Sequence, residues 1–480
     1  MSRLSRRRFL AGSAAFIAAP AIAQTPDLQD VDVVIVGAGA AGIAAARRLV
    51  AAKRSVAVFE ASNRVGGRCA TDNGFFGVPF DLGAHWIHNP EANPLVAQAA
   101  QAGLDIYPAP RGQSLRVGAR NALDGEMENY LAGLVRAQRA IHELGKLKAD
   151  VPAVRLLPHD LGDWRGTIEF ILGPYTLGKN LANVSAFDLA RALPRTSDSF
   201  CRQGYGALLA ALAAGLPIRL STPATMIYWG GKSLIVETAK GDLRPRAVIL
   251  TVSTNMLTED KIEFIPPLPK RPLDAAARLS LGSLDHIALD MPGNPLGLQR
   301  DDAVFEQARG ERSAALLANV SGTGLHMVEV GGNFGRDLSA QGEAAMIDFA
   351  GEWLTALFGS RARRAIKRAR ATRWNHEPWV LGAMSAAAPG DADARKTLSE
   401  PVGDRIWFAG EALHETQWGT VNGAWESGER TAAAVLRNIG GARAEPKAAS
   451  PSKRKSHTSR KPRKPQPRAS EPSWPFFRQP

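Results

Sequence analysis

Cysteine is nearly absent from this chain: Cys69 and Cys201 are the only two in 480 residues. No disulfide framework holds the fold together, and at most one bridge is open to it. Long apolar runs are missing too. The stretch that begins at Ala11 falls short of the roughly 20 residues a membrane-spanning helix needs, and no internal repeat is visible. The body of the chain has no net charge of either sign. Residues 1–23 hold four arginines and no acid, and residues 441–480 hold eleven Lys or Arg against Glu445 and Glu471, which together account for the whole formal charge of +13. Residues 24–440 therefore project no general field toward a polyanion, and no specific nucleic-acid partner is expected. What is present is ordinary globular composition, with 45% hydrophobic and 22% charged residues. That excludes a collagenous, disulfide-stapled or wholly disordered chain. The length suits about three compact units, or two with one built from separate pieces.

The two ends read as accessories. Ser5-Arg6-Arg7-Arg8-Phe9-Leu10, then an apolar run ending Ala21-Ile22-Ala23, has the layout of a cleaved export signal. Its paired arginines resemble a twin-arginine signal, so the export machinery is an expected partner and the periplasm an expected location. That route carries folded proteins, which suits one that must load a cofactor before leaving. Residues 441–480 are rich in Pro, Ser, Lys and Arg with few aliphatics, too little apolar area to offset the entropy of ordering, and are expected to be disordered. Lys453-Arg454-Lys455 and the tip Trp474-Pro475-Phe476-Phe477 leave contact with an anionic surface open.

The chemistry begins at Val31–Val36, a β-branched strand running into Gly37-Ala38-Gly39-Ala40-Ala41-Gly42 and an alanine-rich helix through Leu49. Strand, glycine turn and helix together let backbone approach a pyrophosphate at a helix N-terminus. A second strand, Ser55–Phe59, delivers Glu60 about 20 residues on, where a ribose hydroxyl is held. Next comes Arg64-Val65-Gly66-Gly67-Arg68, a second glycine pair flanked by guanidinium groups. This arrangement resembles the flavin-containing amine oxidase superfamily. The likeness recurs in Asp81-Leu82-Gly83-Ala84-His85-Trp86-Ile87-His88, Arg373-Trp374, Phe408-Ala409-Gly410-Glu411 and Gly419-Thr420-Val421-Asn422-Gly423-Ala424, which with the first stretch makes five blocks over roughly 400 residues.

The resemblance implies an α/β fold: a discontinuous Rossmann-like FAD domain (residues 30–90, 204–260 and 400–440) beside an α+β substrate domain (91–203 and 261–399). It implies that Gly37, Gly39, Ala41 and Gly42 form the pyrophosphate turn, that Glu60 holds the adenosine ribose, and that Arg68 lies near the diphosphate and flavin. Gly83 and Ala84 would pass the isoalloxazine, Met226 would meet adenine, Glu411 would serve the ribityl-diphosphate region, and the Val421 amide would face the flavin pyrimidine edge. For Glu411 an ordinary acid at a helix start is the alternative.

The same resemblance bears on substrate. No arginine stands in His85-Trp86-Ile87-His88, where amino-acid oxidases and tryptophan monooxygenases carry a carboxylate clamp. Trp-Ile-His is similar to spermine and polyamine oxidases, with His88 facing the flavin pocket, and implies an amine. His286 stands where many relatives have a lysine that holds a water. It either takes that role or accepts a proton, or is an ordinary strand histidine. Met384 and Thr420 occupy the places of an aromatic cage, and Ala383 that of a flavin-linking cysteine, which implies noncovalent FAD. Trp374, Trp379 and Trp418 line the pocket or pack in the core. The expected reaction is amine oxidation by hydride transfer to flavin N5 with dioxygen as reoxidant. An amino-acid oxidase or tryptophan 2-monooxygenase-like enzyme, a desaturase or porphyrinogen oxidase, and a non-enzymatic FAD-binding protein are the alternatives.

Overall fold

A computed structural model describes residues 29–110, 112–143 and 149–440. The expected export signal and basic tail lie outside the described residues. No described helix is long and apolar enough to cross a membrane.

One sheet is laid down around the glycine turn. Its strands run in the order Ile218–Arg219, Val56–Phe59, Gln29–Val36, Leu243–Leu250, Ile235–Thr238, Ala224–Tyr228 and Glu263–Ile265, with Ile406–Phe408 also pairing Leu243–Leu250. Gln29–Val36 is parallel to both neighbours. Its side chains alternate between two cores: Val34 and Val36 pack with Val248 and Leu250, whereas Val33 and Ile35 pack with Ala247 and Ile249. Both faces are covered, which is why these strands read as unbroken apolar runs. The helices Ala40–Ala51 and Val421–Asn438 cross so closely that a Cβ on Gly428 would lie 2.1 Å from the Ala41 carbonyl. Glu263–Ile265 carries this sheet past the boundary expected at residue 260, because it pairs with Ala224–Tyr228.

A second sheet runs Arg368–Ala371, Leu284–Asp290, Leu325–Gly331, Ala315–Ala318, Asp302–Glu306, Ser114–Val117 and Arg120–Asn121. Ile287, Leu289, Val328 and Val330 turn to one face. There they meet Met346, Phe349, Trp353 and Leu357, the apolar stripe of helix Glu343–Phe358. His286 and Glu329 stand on alternate positions of those strands, directly opposite one another, and so fall on the other face. A small third sheet pairs Ile87–His88 with Asp198–Cys201, which also pairs Ile106–Pro108. Cys69 and Cys201 are both buried and free.

Candidate active site

The glycine turn is built for backbone approach. Gly37 has φ +104°, and a Cβ there would lie 2.5 Å from Thr251 Oγ1. A Cβ on Gly42 would lie 2.0 Å from the Gly37 carbonyl, so Gly42 packs behind the turn and lets the helix start against the strand. The amide of Ala38 donates to Glu60 Oε2 at 2.7 Å, and the amide and hydroxyl of Ser62 donate to Oε1 at 2.8 and 2.7 Å. Glu60 is thereby locked beside the turn while keeping lone pairs for a further donor.

From this turn one continuous cavity runs through the molecule. Gly37, Gly39, Glu60, Pro223 and Ala224 line its wall, as do Arg64, Gly66, Gly67 and Arg68, then Gly83, Ala84, His85, Met384, Gly419, Thr420 and Val421, and finally His88, Tyr175, Arg195, His286 and Glu329. Arg68 is aimed by Glu411: its Nη1 donates to Glu411 Oε1 at 2.8 Å and to the Ala383 carbonyl at 2.5 Å. Glu411 also accepts from the Ser385 amide and hydroxyl and from the Gly419 amide. Burial alone would raise its pKa, but Arg68 and Arg395 outweigh that and hold it below the usual range, so it stays ionised. Thr420 caps the last helix, accepting from the Gly423 amide at 3.0 Å, and the N-terminal end of that helix dipole faces the cavity.

This donor set fits a dinucleotide extended along the cavity. Amides, two guanidinium groups and a helix N-terminus flank the middle, where a diphosphate would lie. Two buried polar atoms on the wall, His85 Nε2 and Glu329 Oε2, have no partner among the described residues. Such atoms call for a bound group.

At the far end two histidines are held differently. His88 Nδ1 lies 2.5 Å from Asp198 Oδ1, because the two residues are cross-strand partners. Burial and Arg195 lower its pKa, outweighing Asp198. The neutral ring with Nδ1–H donated to Asp198 leaves Nε2 as an acceptor. His286 has both nitrogens occupied: Nδ1 is 3.0 Å from the Asp81 carbonyl and Nε2 is 3.3 Å from Glu329 Oε1. A doubly protonated ring would serve both oxygens at once. Burial pulls its pKa down, yet Glu329 and the Asp81 carbonyl reverse this and the net shift is upward. Both ring nitrogens of His286 are thus turned toward protein oxygens, while the residue also borders the cavity.

Other expected residues are sorted by the fold. Trp374 lines the cavity, with its indole N–H on the Leu82 carbonyl, and Trp379 is a partly exposed part of the wall. Met226 stands off the wall, where Pro223 and Ala224 are found instead. Trp418 is buried beneath the Arg395 guanidinium, 4.5 Å from its ring centre, and borders only a small side cavity. Sequence reasoning missed Glu329, Tyr175, Gln138, Arg195 and Asp198. Tyr175 and its neighbours reach the wall because helix Arg165–Phe170 widens into a π turn, Ile171–Tyr175, at Pro174. Asp198 meets His88 across 110 residues of sequence, a contact that no local pattern announces.

The profile of the family described as flavin containing amine oxidoreductase matches residues 40–436. Lysine-specific histone demethylase 2 of Homo sapiens is 26% identical over 450 residues, covering 85% of this chain and 54% of that protein. Probable polyamine oxidase 4 of Arabidopsis thaliana is 26% identical, covering 82% of this chain and 85% of its own length. The chain thus spans about half the length of the histone demethylases it matches. Among solved structures, wild-type putrescine oxidase bound to putrescine superposes with a TM-score of 0.72 at 22% identity, over 85% of this chain and 100% of the other. Cyclohexylamine oxidase from Brevibacterium oxydans IH-35A gives 0.71 at 21%, over 85% and 99%. These structures share the fold, and the match along nearly the whole described body shows that the chain belongs to the flavin-containing amine oxidoreductase family.

Proposed function

We propose that this protein is an FAD-dependent amine oxidase that binds its cofactor without a covalent link. The observation that carries the reading is the single cavity joining the dinucleotide cradle to the neutral, Asp198-held His88. Gly37, Gly39, Glu60, Arg64 and Arg68 would hold the adenosine and diphosphate, and Gly83, Ala84 and Val421 would border the ring. Ala383 on the wall supports a noncovalent link. FAD, when bound, supplies the hydride acceptor and passes two electrons on to dioxygen.

The chain's own residues then have two tasks. The first is to keep the amine neutral, since its nitrogen lone pair must form the C=N bond as the α-carbon gives up hydride. Apolar walls from Leu134, Ile171, Leu172 and Trp86 disfavour the ammonium form, and His88 Nε2 can accept its proton. The second is to exclude water until the imine leaves and hydrolyses. Dioxygen takes the two electrons and two protons and becomes hydrogen peroxide.

Export by the twin-arginine route belongs to the same reading, supported by the arginine pair and small-residue cleavage pattern at residues 1–23. Contact of the basic tail with an anionic surface rests on composition alone. The test is an anaerobic visible spectrum of the purified holoprotein titrated with amines. Bleaching of the flavin band, peroxide on readmitting air and a rate that climbs toward alkaline pH are expected. A flavin that dithionite bleaches but no amine does, or a rate flat from about pH 6 to 10, would refute the reading.

A further inference from the structure

The substrate end of the cavity holds a cation that none of the described residues neutralises at contact distance. Arg195 lines both the main cavity and the smaller side cavity, which share His88, Gln138, Leu172, Thr176 and Thr420 as neighbours. Arg195 therefore stands at the junction with His88, whereas Arg64 and Arg68 border the main cavity only. It makes no hydrogen bond and no ion pair within 4 Å among the described residues. Burial pulls its pKa down, and Asp198 and Tyr175 act on it only through their fields. Asp198 gives its Oδ1 to His88, and Glu329 lies against His286. Of the other carboxylates on the main cavity wall, Glu60 accepts from the Ala38 and Ser62 amides and Glu411 from Arg68 at the cofactor end, and neither they nor Glu377 border the side cavity.

At the junction of the two cavities this charge pattern is the reverse of what a second ammonium group would need, because the unpartnered Glu329 Oε2 lies on the wall of the main cavity only. A diamine or polyamine seated at His88 would place its distal cation where the unengaged group is a guanidinium. Five N–H donors in a planar fork, partly desolvated and without an acceptor, match a carboxylate. We propose that Arg195 anchors a carboxylate on the substrate, so that the chain oxidises an amine bearing an acid group in preference to a plain mono-, di- or polyamine. The proposal rests on the amine-oxidase reading for its reaction, but its binding claim stands independently.

Two measurements on the holoprotein decide it. The first titrates the flavin spectrum with simple carboxylates, propionate and benzoate, which need no turnover. Saturable perturbation is expected, with the dissociation constant raised about 10- to 100-fold in Arg195→Met and partly restored in Arg195→Lys. The second compares anaerobic flavin reduction by matched pairs, phenylalanine with phenethylamine and lysine with cadaverine. Wild type is expected to half-saturate at lower concentration with the acid-bearing member, and the ratio within each pair to collapse by about 10-fold or more in Arg195→Met. Flavin content checks that each variant folds. Pairs reduced alike, or the plain amine preferred, with no carboxylate perturbation, would overturn the anchor and leave Arg195 as a counter-charge to Asp198. If no member of any pair reduces the flavin while dithionite does, the amine-oxidase reading falls, and the carboxylate titration alone still decides whether Arg195 binds an anion.

Discussion

His286 shows how one residue's role is decided by its two neighbours. Its ring lies between the Asp81 carbonyl and Glu329, and the net effect raises its pKa. A raised folded pKa makes a definite statement about stability. The imidazolium's contribution is fully present below the unfolded value of about 6.5 and is lost as pH rises through the folded value. The thermal-stability gap between wild type and His286→Asn is therefore expected to be widest near about pH 6 and to narrow toward alkaline pH. A gap that is constant or widens would mean the ring is neutral in the folded protein. At this scale the sequence told only which residue types were available. His88, Glu60 and Arg68 were legible because they sit inside recurring blocks. Glu329 and Asp198 were not, since a carboxylate in a strand looks the same whether it faces solvent or a histidine.

Elements were more legible, and the reason is geometric. The strand Gln29–Val36, the helix Ala40–Ala51 and the strand Val56–Phe59 follow from β-branched runs, glycines and alanines that are adjacent in sequence. The glycine turn joins them under tight steric limits. In Gly42→Ala the new methyl would meet the Gly37 carbonyl at 2.0 Å, and backbone cannot yield as a flexible side chain does. The variant is expected to lose about 1–3 kcal/mol of stability and to purify with little flavin, read from the ratio of visible to ultraviolet absorbance. Full flavin content with an unchanged melting temperature would show that the turn relaxes freely. The widened turn at Ile171–Tyr175 had no comparable signature, because Pro174 marks a break in helix pattern but not the extra residue per turn that swings Tyr175 to the cavity.

Across the whole molecule, distant segments are tied by a buried ionic knot. Asp188 receives two 2.8 Å bonds from Arg395, which also donates to Ser385 and to the Ala412 carbonyl, while Ser385 and Arg68 converge on Glu411. Asp188 and Arg395 are both almost wholly buried, so removing one partner strands the other charge without solvent. Asp188→Asn is expected to cost about 3–5 kcal/mol in denaturant unfolding of the holoprotein, and to loosen flavin through Glu411 and Arg68. Unfolding at an unchanged midpoint would show that the knot is not a structural link. The sequence by itself determined the fold class, the glycine turn and the family, because each is carried by short local blocks, and within each block spacing alone dictates turn, strand or helix. Tertiary structure alone decided the substrate end: His88 against Asp198, His286 against Glu329, and Arg195 unpaired at the junction of two cavities. Those relations join residues 43 to 110 positions apart, and they exist only once strand register and sheet packing have chosen which side chains share a wall.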